Sequence, residues 1–255
     1  MQKRALVKTL GLTLGAVLMT ACASNGDLEE GSENQPLEAA QETQETVETQ
    51  AVEAEKIAME QADAAEKAAQ AGVDGLILVT AGAGGHAGLL NPMAFVNEIK
   101  TFFKGTILLS GCMSTGQDVA TAMQMGADLA YMGTRFINTN ESRAGQDYQQ
   151  MINESKVGDI VYTAAVSGVN ANFMKPSLEN NGITEEMWSK SKKIDFGSEL
   201  DAAKAEAKAW KTVWSAGQGV TSINDSLPTA DLISRMKTEF NEAIERQKEF
   251  MNTYG

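Results

Sequence analysis

The sequence predicts an α/β fold of parallel βα units, and three observations carry that expectation. Apolar runs at Val73 to Thr80, Thr106 to Leu109 and Leu129 to Met132 read as strands. Helix-prone stretches, Pro92 to Phe103 and Gln117 to Met125, lie between them. Each apolar run ends in a glycine-bearing loop. Strand, helix, strand, helix, strand is the order that gives a parallel sheet, whose strands are expected to be buried on both faces. Ligands of such sheets gather at the carboxyl ends of the strands, so all three glycine loops fall on one side.

The chain begins with Lys3, Arg4 and Lys8, a mostly apolar stretch from Leu10 to Met19, and then Thr20-Ala21-Cys22. A basic start, a short apolar segment and small residues before a cleavage point form a secretory signal over residues 1–22. The apolar segment is too short to span a bilayer as a helix. The cysteine gives it the form of a bacterial lipoprotein signal, in which Cys22 becomes the acylated first residue and anchors the chain to a membrane. Ala23 after that cysteine favours the outer membrane, on its periplasmic face; without a working signal the protein is cytoplasmic.

Residues 23–50 are rich in Glu, Gln, Thr, Ser and Asn and bury too little apolar surface to offset their ordering entropy, so they read as an acidic disordered tether. Between Ala23 and Gly72 thirteen acidic residues face two lysines, which places −11 of the net charge of −13 there. An acidic excess without a basic stripe excludes a nucleic-acid partner, because phosphates call for Lys and Arg. Residues 51–72 are helix-prone. Alanines 51, 54, 58, 62, 65 and 69 share one small-residue face, suited to a coiled-coil seam or to packing on the next strand. The two cysteines, Cys22 and Cys112, make no disulfide framework in a chain of this size.

After Met132 the chain reads as mostly polar and helical to its end. Trp210, Trp214 and Phe240 are natural core anchors there, and a last helix over about 229–254 sets Leu232, Ile233, Met236, Phe240 and Ile244 at helical spacing.

The sharpest local feature is Ala81-Gly82-Ala83-Gly84-Gly85-His86-Ala87-Gly88, which holds the sole histidine. Glycines directly after a strand let backbone approach a ligand closely. His86 is either a hydrogen-bonding loop residue or a general base that works near neutral pH. Ser110-Gly111-Cys112-Met113-Ser114-Thr115-Gly116 and Gly133-Thr134 come after the next two strands. Consecutive amides in such loops serve either as connecting turns or as a nest for a phosphate.

Taken in order, Val73-Asp74-Gly75-Leu76-Ile77, Ala83-Gly84-Gly85-His86-Ala87-Gly88, Gly111 with Gly116, Gly126-Ala127-Asp128, Gly133-Thr134-Arg135-Phe136 and Glu141-Ser142 resemble the nitronate monooxygenase family, formerly called 2-nitropropane dioxygenases. Ser167-Gly168, Asn172, Lys175-Pro176 and Trp214-Ser215-Ala216-Gly217-Gln218-Gly219 extend the resemblance, which runs from about Ala64 to the C-terminus. It implies an FMN-dependent (β/α)8 TIM barrel that oxidises alkyl nitronates, and in some members nitroalkanes, with O2. His86 matches the base that removes the proton α to the nitro group. Gly84 and Gly85 match a loop beside the flavin, and Ser110, Gly111, Gly133 and Thr134 match the seat of the FMN phosphate. No metal site is implied.

The chain departs from the family in two ways. Gly111-Cys112-Met113 stands where Gly-Gly-Ile is common, which places a side chain at the phosphate turn; Cys112 is expected to be a small buried residue. Only three strands are legible, and they resemble the last three βα units of the barrel. The expected fold is therefore α/β, a partial barrel over residues 73–255 with C-terminal helices, behind a disordered and helical N-terminal extension. Three strands leave two open sheet edges, which a homo-oligomer would cover. Two further functions stay open: a catalytically inactive, membrane-tethered lipoprotein carrying a truncated barrel fragment, and a flavin-dependent enoyl reductase, whose barrel has a similar Gly-Gly-His loop.

Overall fold

The computed structural model describes residues 59–189 and 212–254. Met1–Thr49 and Gln50–Gly255 form separate units, and all the described residues belong to the second. The signal, Cys22, the tether, residues 51–58 and Trp210 lie outside the described residues. No helix among the described residues is long and apolar enough to cross a membrane.

Helix α1, over 59–70, leads through Gly72 into strand β1, Gly75–Val79. Ala65 is buried against the sheet, with Ala68 and Ala69 packed beside it. Gln61 fixes the helix to the strand end: its Nε2 donates to the Val79 carbonyl at 2.8 Å and its Oε1 accepts from the Leu89 amide at 3.2 Å. Strand β2 is short, Gly85–His86. Helix α2, Pro92–Phe102, starts where the Asn91 side chain accepts from the Met93 amide and proline stands in the first turn, where its missing N–H costs nothing. Strand β3 is Thr106–Ser110. Helix α3, Gly116–Met125, has a capping box between Thr115 and Asp118 and stops at Gly126 in the left-handed region. Strand β4 is Leu129–Tyr131.

Strands β1, β3 and β4 form a parallel sheet in that order, with Leu78 beside Leu109 and Ile77 beside Leu108, which pairs in turn with Leu129. The bounds and order agree with the sequence expectation. Burial on both faces does not. Leu76, Leu78, Ile107 and Leu109 pack under Phe95, Val96, Ile99, Phe103 and Ala122 of the helical layer. On the opposite face Ile77 is 51% exposed, Leu129 53% and Tyr131 51%. All the helices of these βα units lie on one side, and among the described residues the other is largely open away from the carboxyl ends of the strands. In a closed barrel that other face would be the interior.

The region after β4 is largely helical, as expected, but it also holds two strands that the sequence did not show. It contains short helices α4, Thr134–Ile137, α5, Gln146–Glu154, α6, Lys175–Asn180, and α7, Glu185–Trp188. Between them stand strands β5, Ile160–Thr163, and β6, Ala171–Met174. Together with β2 they make a second, antiparallel sheet in the order β2-β6-β5. Both new strands are only four residues long, and β6 is buried throughout. Neither offers the alternation from which a strand is read.

Helix α8, Thr229–Tyr254, has the expected bounds and lies along α3. Leu232 and Met236 are buried, whereas Ile233 points outward, 37% exposed. Trp214 is half-buried and stacks on Tyr148, ring centroids 5.1 Å apart. Phe240 is half-buried against α3 rather than a core anchor.

Candidate functional site

A cleft opens at the carboxyl ends of β1, β3 and β4. Ala83 and Gly84 line it from the first loop, Ser110 to Ser114 from the second, and Tyr131 to Thr134 with Ile137 from the third. The fourth wall is Ser215, Gly217 and Gly219.

Segment 215–219 is stitched to all three strand-end loops. The Gln218 amide donates to the Gly82 carbonyl at 2.8 Å. The Ser114 hydroxyl donates to the Gly219 carbonyl at 3.0 Å, and the Gly217 amide donates to Thr134 Oγ1 at 3.0 Å. The Thr134 oxygen is thus an acceptor for the protein, and its own proton remains to be donated. Two glycines permit this closeness. A Cβ on Gly84 would stand 2.7 Å from the Gly217 nitrogen and 3.0 Å from Thr134 Oγ1, too close for any side chain. Gly111 takes φ 137°, and a Cβ there would strike the Thr80 hydroxyl. Thr80, fully buried, donates that hydroxyl to the Ser110 carbonyl at 2.8 Å, which fixes the start of the loop.

The nest is smaller than the sequence suggests. The amides of Ser114 and Thr115 donate to the Asp118 carboxylate at 2.8 and 2.9 Å. The Gly116 amide donates to Glu239 Oε2 at 2.7 Å. The N-terminus of α3 is therefore answered by two carboxylates of the protein itself. What faces the cleft is the turn at Gly111 to Met113 and the Gly133-Thr134 loop.

Cys112 is exposed, not buried, and adopts φ 58°, the left-handed conformation that a glycine would take more easily. Its Sγ lies 3.4 Å from the Ala81 carbonyl oxygen and 3.8 Å from Gln218 Oε1. The side chain is thereby directed to Gly82 and Gln218, so the extra atoms rest at the rim against a neighbouring loop. Desolvation there, aided by the charge of Asp118, pushes the thiol pKa upward, away from the reactive thiolate.

Of the residues singled out from the sequence, Gly84, Ser110, Gly111, Gly133 and Thr134 meet in this cleft. Gly85 and His86 are not among its lining residues. They form β2, where Gly85 pairs with Asn172 and His86 with Ala171. The Asn172 side chain also donates to the Ala83 carbonyl at 2.7 Å, so β6 holds the glycine loop in place. His86 is exposed, two residues along the chain from the lining residue Gly84. Sequence reasoning missed Tyr131, Met132, Ile137, Ser215, Gly217 and Gly219 as lining residues. The run Ser215-Ala216-Gly217-Gln218-Gly219 carries the signal for the last three, since small residues concentrate where loops touch.

The cleft measures about 120 Å3. Pockets that enclose a whole small-molecule ligand run to about 300–1,000 Å3, so this one fits a phosphate-sized group and leaves the rest of a larger ligand outside it.

A family model described as nitronate monooxygenase matches residues 35–239. The nitronate monooxygenase of Paraburkholderia phytofirmans is 30% identical over 197 residues, which are 71% of this chain and 53% of that protein. Among solved structures, FabK from Thermotoga maritima has a TM-score of 0.60 at 24% identity, over 74% of this chain and 61% of that one. Nitroalkane oxidase from Streptomyces ansochromogenes has a TM-score of 0.56 at 22% identity, over 73% and 57%. These likenesses support the α/β, TIM-barrel-like fold, of which the parallel sheet is a part. The chain spans about half the length of the curated relatives it matches.

Proposed function

The chain belongs to the nitronate monooxygenase family, and from that premise we propose that it is an FMN-dependent oxidoreductase acting on alkyl nitronates and nitroalkanes with O2. The observation that carries this reading is the convergence of three strand-end loops and segment 215–219 on one cleft of phosphate size. The residues present fit the cofactor's phosphate. Gly84 and Gly217 let their loops close on each other, Gly111 permits the turn against Thr80, and Thr134 keeps a hydroxyl proton to donate. Asp118 and Glu239 are already engaged with amides and turn no unpaired charge into the cleft.

When bound, the flavin supplies the redox chemistry, taking electrons from the nitronate and delivering them to O2. The protein's own residues do three things. The turn at Gly111 and the hydroxyl of Thr134 would hold the phosphate, the cleft-lining Gly84 would keep its loop close to it, and His86, two residues further on, would serve as the base. An imidazole nitrogen of His86 takes the α-proton of a neutral nitroalkane and holds it. A nitronate arrives already deprotonated and has no need of that step.

The test separates the two substrates. The purified full chain is titrated with FMN, monitored by flavin fluorescence, and O2 uptake is measured with a nitronate and with its parent nitroalkane. His86→Ala is expected to lower nitroalkane turnover by about 10²- to 10⁴-fold, the usual worth of a general base, and to leave nitronate turnover within about threefold. Equal losses on both substrates would remove His86 from the proton-transfer role. A chain that binds no flavin would overturn the reading as a whole.

One observation favours a second reading. The sheet face that would line a barrel carries Ile77, Leu129 and Tyr131 half exposed, as in a barrel fragment without catalytic activity that is held at a membrane through lipid on Cys22. Absence of flavin binding, with incorporation of labelled palmitate that Cys22→Ala abolishes, would establish that reading. An enoyl reductase is distinguished by reduction of the bound flavin with NADH.

A further inference from the structure

The 110–116 loop and the Gly133-Thr134 loop, both cleft-lining, are tied together by a chain of charges. Glu239, on α8, accepts from the Gly116 amide at the base of the 110–116 loop, 2.7 Å. Its other oxygen lies 3.7 Å from Arg235 Nε, one helical turn earlier. Arg235 clasps the Asp225 carboxylate with both terminal nitrogens, at 2.6 and 3.1 Å. Asp225 in turn receives Arg135, whose NH2 nitrogen donates to Oδ1 at 3.0 Å and whose NH1 nitrogen donates to the Asp225 carbonyl at 2.9 Å. Arg135 is the next residue after Thr134, which lines the cleft.

Arg135 is fully buried, and its Nε has no hydrogen-bond partner among the described residues. The guanidinium is desolvated while its partner Asp225 keeps 34% of its side chain exposed, so the pair regains only part of the cost of burying the charge, and stability alone is a weak reason for a guanidinium here. Its reach gives a better one. The series Glu239, Arg235, Asp225 and Arg135 joins one of these loops to the other: Arg235 grips the Asp225 carboxylate bidentately, Arg135 grips its carboxylate and backbone carbonyl, and Glu239 adds a charge contact to Arg235. A rigid support of this sort is what a binding constellation requires if its groups are to stay within about 0.5 Å of the productive geometry.

Resting on the FMN reading above, we propose that Asp225 is a positioning residue for the cofactor's phosphate: it fixes the spacing between the Gly111 turn and Thr134 without touching the ligand. Removing its charge leaves two guanidinium groups with Glu239 as the remaining carboxylate of this chain of charges, and Arg135 must shift, carrying Thr134 with it.

The experiment compares FMN with riboflavin, which has the same ring and ribityl chain but no phosphate. Dissociation constants for both are measured on the full chain by flavin fluorescence, for wild type, Asp225→Asn, Asp225→Glu and Arg235→Gln. Arg235 is partly exposed, so its variant is the safer test of folding. For Asp225→Asn the expected result is FMN weakened by about 10- to 100-fold, the range seen when outer partners of a ligand contact are removed, with riboflavin changed less than about twofold. Arg235→Gln shifts in the same direction, and Asp225→Glu recovers part of the preference for FMN. The proposal is overturned if Asp225→Asn and Arg235→Gln hold FMN as wild type does, or if they lose FMN and riboflavin equally. A wild-type chain that binds neither flavin removes the FMN reading itself, and this proposal with it.

Discussion

At the scale of single residues, the cleft depends on backbone conformations that only certain side chains tolerate. Cys112 takes a left-handed conformation in the turn after Gly111, where glycine would be easier, and its Sγ has a place to go, between the Ala81 carbonyl and Gln218. A branched side chain has neither that outlet nor an acceptable χ1 in the left-handed region. Cys112→Val is therefore expected to lower stability by about 1–3 kcal/mol, the cost of a strained backbone position, read as a shift in urea midpoint at unchanged slope. A wild-type midpoint would show that the turn relaxes freely. The sequence made Gly111, Gly133 and Thr134 legible because glycine and small hydroxyl residues after strands have few other uses. It could not show that the amides of residues 114–116 are taken, since Glu239 lies far along the chain and reaches them only through packing.

At the scale of elements, periodicity revealed what was long and one-sided. Strands β1, β3 and β4 and helices α2, α3 and α8 all stand within a few residues of their sequence bounds. The hairpin of β5 and β6 was illegible for a physical reason: four buried residues such as Ala171 to Met174 show no period, and their strand conformation is imposed by pairing with β2 and β5. The same logic explains why burial on both sides of the parallel sheet was expected and not found. Apolar content reports that a strand can be buried, not that something is present to bury it. The asymmetry has a measurable outcome. Leu109→Ala, beneath the helical layer, is expected to cost about 2–5 kcal/mol, whereas Leu129→Ala, half exposed on the open face, is expected to cost under about 1 kcal/mol. Equal costs in denaturant unfolding would mean that the second face is covered in solution.

For the molecule as a whole, the charge network that ties the two cleft-lining loops together also links stability to acidity. Hydrogen bonds from Arg235, then the charges of both arginines, hold the Asp225 carboxyl below its ordinary value. Because the folded value is the lower one, this group contributes stability at pH above the unfolded-state value of about 3.9. That contribution is lost as the pH falls through the folded value. The gap in melting temperature between wild type and Asp225→Asn is expected to be full at pH 6 and to close on acidification below about pH 4. A gap independent of pH would assign the role of Asp225 to shape rather than charge. The Arg135 pKa is lowered as well, but by burial, which Asp225 opposes, and a guanidinium stays protonated regardless.

The stitching of segment 215–219 across the cleft also sets an order of events. Its bonds to Thr134 and Ser114 span 83 and 105 residues of chain, against the local contacts that form α2 or α3. Contacts so distant in sequence close slowly and late, after the parallel strands have been made and have paired. During synthesis the cleft thus has a floor well before it has its fourth wall, and the seat for a ligand is completed only as the last quarter of the polypeptide arrives. The amides of Gly217 and Gln218, which close this wall onto Thr134 and Gly82, are the places where occupancy of the cleft would be recorded as slowed hydrogen exchange.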